Sequence, residues 1–187
     1  MPPRAKISKD DIVKTAVELV RESGESALNA RSIACALGCS TQPVFSNFVS
    51  MEELQMAVTS AAYERYLDFL KNEAERGIFP KYKAFGMAYI RFAKEERELF
   101  KLLFMCDRRG KKFAPAADFD ISVKMIAESN EIDQKTAELM HIEMWTCVHG
   151  IGTMLATSFL ELDEELISNM LTDVYQGIRA RHVGDKS

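Results

Sequence analysis

The sequence predicts an all-α chain, and three observations carry that prediction. No run of alternating apolar and polar residues bounded by turn residues occurs anywhere, so a strand has nothing to be built from. Apolar residues instead recur three and four positions apart over most of the length, the spacing of one helix face. Helix starts also follow a repeating grammar. Ser8, Asn29 and Ser50 each follow an apolar residue (Ile7, Leu28, Val49) and precede another at the fourth helical position (Ile12, Ile33, Leu54). That pattern suits an N-cap inside a hydrophobic staple, and Asp11 and Glu53 add the acid of a capping box.

The first helix is expected over residues 9–22, with Ile12, Val13, Ala16, Val17, Leu19 and Val20 on its apolar face. A second starts behind Asn29, turns Ile33, Ala34 and Leu37 inward, and stops at Gly38, which enters the left-handed region cheaply. Ser40 reads as the cap of a third helix, with Pro43 in its first turn, where a missing amide proton costs nothing. Stepping about 100° per residue puts Val44, Phe48 and Thr41 on one side of this short helix. Gln42, Pro43 and Ser46 fall opposite, with Phe45 and Asn47 on the flanks. Two apolar anchors and an outward face of small polar groups are what a major-groove reading helix needs. The tight turn makes residues 29–48 a helix-turn-helix candidate, against the plainer alternative of an αα-corner in any helical protein.

A fourth helix is expected over residues 51–76, before Gly77. At about 25 residues, roughly 38 Å, it exceeds what a small three-helix head requires. Leu54 and Val58 are expected to close the head, and Tyr63, Tyr66, Leu67 and Leu70 to enter a second body. The domain reading is therefore 1–55 for the helix-turn-helix head and 56–187 for a ligand-binding and dimerisation domain. The second body opens at Phe79-Pro80, runs through Phe85, Ala88, Tyr89 and Phe92, and breaks near Glu95-Glu96. The apolar run Leu99, Phe100, Leu102, Leu103 and Phe104 is assigned to it as well. Residues 107–115 hold four cations and read as a surface loop, or as a basic lip for an anionic ligand. A short helix over 119–129 carries Ile121, Met125 and Ile126.

Residues 135–160 are apolar on two sides, one stripe being Met140, Met144, Val148, Ile151, Leu155 and Phe159, the other Ile142, Trp145, His149, Gly152 and Ala156. Such a helix is buried on both sides. Gly150 and Gly152 suit close approach of another backbone. Asp163 caps the last helix, whose stripe is Leu166, Ile167, Met170, Leu171, Val174 and Ile178, with Arg179, Arg181 and His182 complementing the dipole at its end. Surplus apolar surface on the last two long helices predicts a four-helix interface between two copies, a homodimer.

Composition narrows the function classes. The 187 residues are 47% hydrophobic, enough for a real core, and carry a formal net charge of −4. No apolar run approaches the roughly 20 residues that cross a bilayer, and no apolar segment follows Met1-Pro-Pro-Arg-Ala-Lys6, so a cytoplasmic protein is expected, with no membrane partner. Cys35, Cys39, Cys106 and Cys147 form no Cys-x-x-Cys pair and have no clustered histidines. They read as buried reduced thiols; no zinc site, metal or cofactor is expected. Glu161, Asp163, Glu164 and Glu165 are clustered but read as a helix start, so no enzyme is expected. Residues 1–55 hold one more acid than base, and 32–51 are uncharged, which is unusual for a DNA-binding segment. Arg4, Lys6 and Lys9 form a basic arm, so phosphate contacts are expected from that arm, from hydroxyls and from helix N-termini.

Over residues 9–56 the pattern resembles the tetracycline-repressor (TetR) family of transcriptional regulators. The matching segments are Arg31-Ser-Ile-Ala34, Leu37-Gly-Cys-Ser40, Val44-Phe45, Asn47-Phe48 and Ser50-x-Glu-Glu-Leu54. The remainder is similar in architecture, and Phe92 to Phe100 and Trp145 to Gly150 resemble one subgroup. The resemblance implies a homodimer that binds a palindromic operator, as a repressor, and releases it when a small molecule fills the C-terminal domain. Phe45, Asn47 and Met51 stand where the family often has tyrosine, histidine and lysine, groups that serve DNA phosphates.

Thr41, Gln42 and Ser46 are the candidates for base-edge contacts, with Pro43 offering an apolar touch. Asn29, Arg31, Ser40, Phe45 and Asn47 are the phosphate-side candidates, Arg31 reading equally as a solvated surface charge. Tyr89, Phe92, Phe104, Met144, Trp145 and His149 are candidates to line a largely apolar effector cavity, each also readable as ordinary core. The rival reading is a helical ligand-binding or adaptor protein without DNA binding.

Overall fold

The computed structural model of the chain describes residues 7–106 and 117–184. Nine α-helices occupy these residues: α1 Lys9–Ser23, α2 Ala30–Ala36, α3 Gln42–Asn47, α4 Met51–Arg76, α5 Lys81–Glu95, α6 Arg97–Phe104, α7 Ala117–Asn130, α8 Gln134–Ala156 and α9 Glu164–Val183. A 3-10 turn, Glu25–Ala27, joins α1 to α2. No strand occurs among the described residues, and no helix there is long and apolar enough to cross a membrane. Arg4 and Lys6 of the basic arm and the cationic loop at 107–115 lie outside the described residues.

The expected starts form where local chemistry sets them. Ser8 and Asp11 make a complete capping box at α1. Asn29 caps α2 by accepting from the Ser32 amide, and Asp163 caps α9 by accepting from the Leu166 amide. The third staple does not form: Val49 is 97% exposed. Glu53 explains this, because its carboxylate takes the Val49 amide at 2.7 Å and holds that corner open to solvent.

The backbone divides into two compact units, residues 1–65 with 96–108, and residues 66–95 with 109–187. The division falls further along α4 than the sequence suggests, and the first unit takes back α6. The run 99–104 therefore belongs with the head, where α6 packs on α1. Leu99, Phe100 and Leu103 are almost wholly buried there, alongside Ile12, Val20, Ile33, Val44, Phe48, Leu54 and Val58. Each such side chain contributes roughly 1.5–3 kcal/mol.

In the second unit α8 is central, packing against α5, α7 and α9. Val123, Ile126, Ala137 and Met140 form one core, closed by Tyr82, Phe119, Tyr175 and Ile178. Gly86 lets α5 lie close to its neighbours: a β-carbon there would stand 3.3 Å from Leu171 Cδ1 and 3.5 Å from Val148 Cγ2. The first stripe of α8 is buried from Met140 to Leu155, but Phe159 lies past the helix end and is 76% exposed. The second stripe is rotated from the expected one. Gly152 and Ala156 are buried, while Leu139, Ile142, Trp145 and Met154 are exposed. None of the cysteines is buried as expected: Cys35 is exposed and the other three are half-buried, all four as free thiols.

Candidate nucleic-acid interface and effector site

The turn between α2 and α3 is built from the backbone. The Cys39 amide donates to the Ala34 carbonyl (2.9 Å) and the Gly38 amide to the Cys35 carbonyl (3.1 Å), a Schellman pair. Gly38 sits at φ 63°, and a β-carbon there would meet nothing within 4 Å, so glycine is needed for its conformation alone. Thr41, not Ser40, occupies the cap position of α3, and it makes no side-chain cap. Thr41 is already helical (φ −71°, ψ −11°), and Pro43 removes one amide that a cap would serve. The Thr41 carbonyl accepts instead from the Val44 and Phe45 amides.

Val44 and Phe48 are the buried anchors of α3. Lys9 reinforces the mount: its ammonium lies 4.6 Å from the Phe48 ring centroid and 2.7 Å from Glu53 Oε1. Lys9 is thereby spent inside the unit and does not extend an arm. Its hydrogen bond, with the Val49 amide, holds the Glu53 carboxyl below the usual range.

Gln42, Ser40, Phe45 and Ser46 are exposed, and Thr41, Pro43 and Asn47 are half-buried. Ser46 donates its hydroxyl proton to the Gln42 carbonyl (2.8 Å), and Asn47 donates to the Pro43 carbonyl (2.8 Å). Ser46 is left as an acceptor, and the Gln42 side-chain amide makes no hydrogen bond among the described residues. Asn29 is committed at both ends, accepting from Ser32 and donating to the Ser26 and Ala27 carbonyls. Arg31 is exposed and makes no ion pair among the described residues. Sequence reasoning missed Val49 and Met56, exposed apolar residues on either side of the start of α4. Only the local geometry at Glu53 betrays the first.

Five of the six effector-site candidates fall in the second unit, and Phe104 falls in the first, against Phe100. Phe92 is fully buried, and Tyr89 and Met144 nearly so. The Tyr89 hydroxyl lies 2.8 Å from His149 Nδ1, and Trp145, 44% exposed, stacks on the His149 ring at 5.0 Å and 18°. The structure adds Tyr66, which sets its ring edge-on to Tyr89 and Phe92 and donates to Asp118 Oδ2 at 3.0 Å. A second Tyr–His pair stands two turns along the same helices: Tyr82 Oη lies 2.9 Å from His141 Nδ1. Burial lowers the His141 pKa, opposed by the Asp118 carboxylate, and burial pushes the Tyr82 hydroxyl well up.

No protein-family model and no curated protein matches the chain. Among solved structures it is similar to a TetR-like transcriptional regulator from Rhodococcus sp. RHA1. That match covers 100% of both chains at a TM-score of 0.66 and 14% sequence identity. An all-helical chain with a Schellman turn ahead of a short exposed helix, matched end to end in this way, has the fold of a TetR-like regulator.

Proposed function

We propose that the protein is a ligand-responsive transcriptional regulator, a cytoplasmic repressor that binds a palindromic operator as a homodimer. It releases the operator when a small, largely apolar molecule occupies the second unit. The observation that carries this reading is α3 itself, a six-residue helix held by two buried anchors behind a backbone-made turn, with uncharged groups facing out. Isolated, so short a helix would not persist; its mount makes it rigid and its outer face leaves room for base edges.

In this reading Gln42 makes the principal base contact, because its side-chain amide is exposed on α3 and makes no hydrogen bond among the described residues. Ser46 accepts, Thr41 and Pro43 contact neighbouring groups, and Arg31, Ser40, Phe45 and Asn47 face phosphates and sugars. Asn29 acts through the cap of α2. Two copies present their α3 helices about one DNA turn apart, roughly 34–38 Å. An effector alters operator affinity only by its differential affinity for the two states of the dimer. Tyr66, Tyr89, His149 and Asp118 are the polar groups that an effector in the second unit would meet.

The test is selection of duplexes from a random-sequence pool by the full chain. An inverted repeat is expected, with half-sites about 10–11 base pairs apart, centre to centre. Gln42→Ala should then lose about 1–3 kcal/mol of discrimination at one position of each half-site. If no duplex of any sequence is retained at low salt, the second reading stands, a helical ligand carrier without DNA binding. The internal use of Lys9 favours that rival, since it leaves the head with fewer cations for phosphates.

A further inference from the structure

Among the described residues of the first unit, Glu96 is the carboxylate held by the most hydrogen bonds, and only 5% of its side chain is exposed. Arg21 of α1 donates from Nε to Oε2 (2.6 Å) and from Nη2 to Oε1 (2.9 Å). Arg65 of α4 donates from Nε (2.9 Å) and Nη2 (2.6 Å), both to Oε1. Its hydrogen bond to Glu96 pushes the Arg21 pKa well above the usual arginine range. Glu96 also opens α6, its carbonyl accepting from the Phe100 amide at 2.8 Å. Just beyond, Glu98 lies so close to Gly24, at the end of α1, that a β-carbon on Gly24 would approach its Oε2 to 2.9 Å.

The position of this cluster in the chain matters as much as its geometry. The backbone leaves the first unit between Arg65 and Tyr66 and returns between Glu95 and Glu96. The residues at these two passages are therefore bonded to each other. Glu96 is bonded in turn to α1, which packs on both α2 and α3. Stability alone does not account for such a cluster, because well-packed apolar residues often replace a buried ion pair at no loss. Planar guanidinium forks supply something apolar packing does not, a fixed angle between the helices that carry them.

We infer that Glu96 is a latch coupling the helix-turn-helix to the second unit. It is a positioning residue: a change in the path of either passage reaches α1 through it, and from α1 reaches α2 and α3. This rests on the DNA-binding reading above and adds the regulation of that site. The experiment uses the full chain with Glu96→Gln, which keeps the shape and removes the charge, and Arg65→Gln, which removes only the α4 arm. Arg65 is partly exposed, so its variant keeps the test open if Glu96→Gln does not fold. The readouts are thermal unfolding, backbone amide exchange, and affinity for the duplex that the wild type selects.

The expected wild type unfolds in one step, and each variant in two. Amide exchange in α1, α2 and α3 should quicken by about tenfold while α8 and α9 are unchanged, and duplex affinity should fall by about tenfold, inside the usual range of coupling between sites. A variant that unfolds earlier but still in one step, with exchange raised evenly throughout, marks a plain brace and overturns the latch. A wild type that already unfolds in two steps overturns it too. Unfolding and exchange need no DNA, so a wild type that retains no duplex removes the regulator reading while those two readouts still judge the latch.

Discussion

Single side chains in this protein divide between those that hold a shape and those left open to an outside partner. Asn29 belongs to the first kind, with both ends of its amide bonded to the start of α2 and the turn before it. Asn29→Ala should therefore lower stability by about 1 kcal/mol, and Asn29→Ser by less, read from urea denaturation midpoints. An Asn29→Ala variant as stable as the parent would return that residue to the DNA-contact set. His141 is a different case, nearly buried between Tyr82 and Phe119, with a pKa lowered chiefly by burial. A histidine whose folded pKa lies below its unfolded value binds more protons when unfolded, so stability rises with pH across that interval. Its contribution is constant above the unfolded value of about 6.5 and is lost as pH falls from there towards the lowered folded value. Denaturation midpoints between about pH 7.5 and 5.5 should fall in the parent and fall less in His141→Leu. Equal slopes would mean that His141 protonates without disturbing the fold.

At the scale of elements, what could be read from the sequence was what is decided within a few residues. Ser8, Asn29 and Asp163 cap their helices because the amides they serve lie three positions on. The outer face of α3 follows from helical periodicity once Val44 and Phe48 are taken as anchors. The failures come from distant partners. Val49 reads as half of a staple, but the Glu53 carboxylate, held by Lys9 from 44 positions away, captures its amide. The apolar run of α6 could pack with either unit, and its place follows from Glu96 meeting arginines 75 and 31 positions away. The two Tyr–His bonds tying α5 to α8 span 59 and 60 positions, and neither residue type announces its partner. Gly86 gives this packing a test. Alanine normally favours a helix over glycine by about 1 kcal/mol, but a methyl at Gly86 would press on Leu171, which is itself buried and has little room to yield. Gly86→Ala should thus be destabilising by about 1 kcal/mol, because the cost of overpacking outweighs the gain in helix propensity. A stabilised variant would show that α5 and α9 can separate freely.

At the scale of the whole molecule, the outer face of α8 is apolar and exposed. Leu139, Ile142 and Trp145 are exposed there, three positions apart, and Leu166 is exposed on α9, which packs beside α8. Gly150 lies on the same side of α8, and a β-carbon on it would meet nothing within 4 Å, so no neighbour among the described residues requires a glycine there. Glycine inside a helix costs about 1 kcal/mol relative to alanine, and a second copy approaching closely would give that cost a purpose. Scattered apolar residues are normal on a surface, whereas several on one helix face read as an interface. Under the dimer reading Ile142→Glu places a charge at the centre of the buried patch. Sedimentation should then show a monomer where the parent is a dimer, with the helical signal retained. Duplex affinity should fall steeply, because one copy offers a single α3 and loses the gain that comes from linking two binding modules. Gly150→Ala should act in the same direction and more weakly, loosening the dimer while making the isolated helix slightly more stable. An Ile142→Glu protein that stays dimeric would move the interface off α8, and one that turns monomeric yet binds the duplex unchanged would break the link between pairing and recognition.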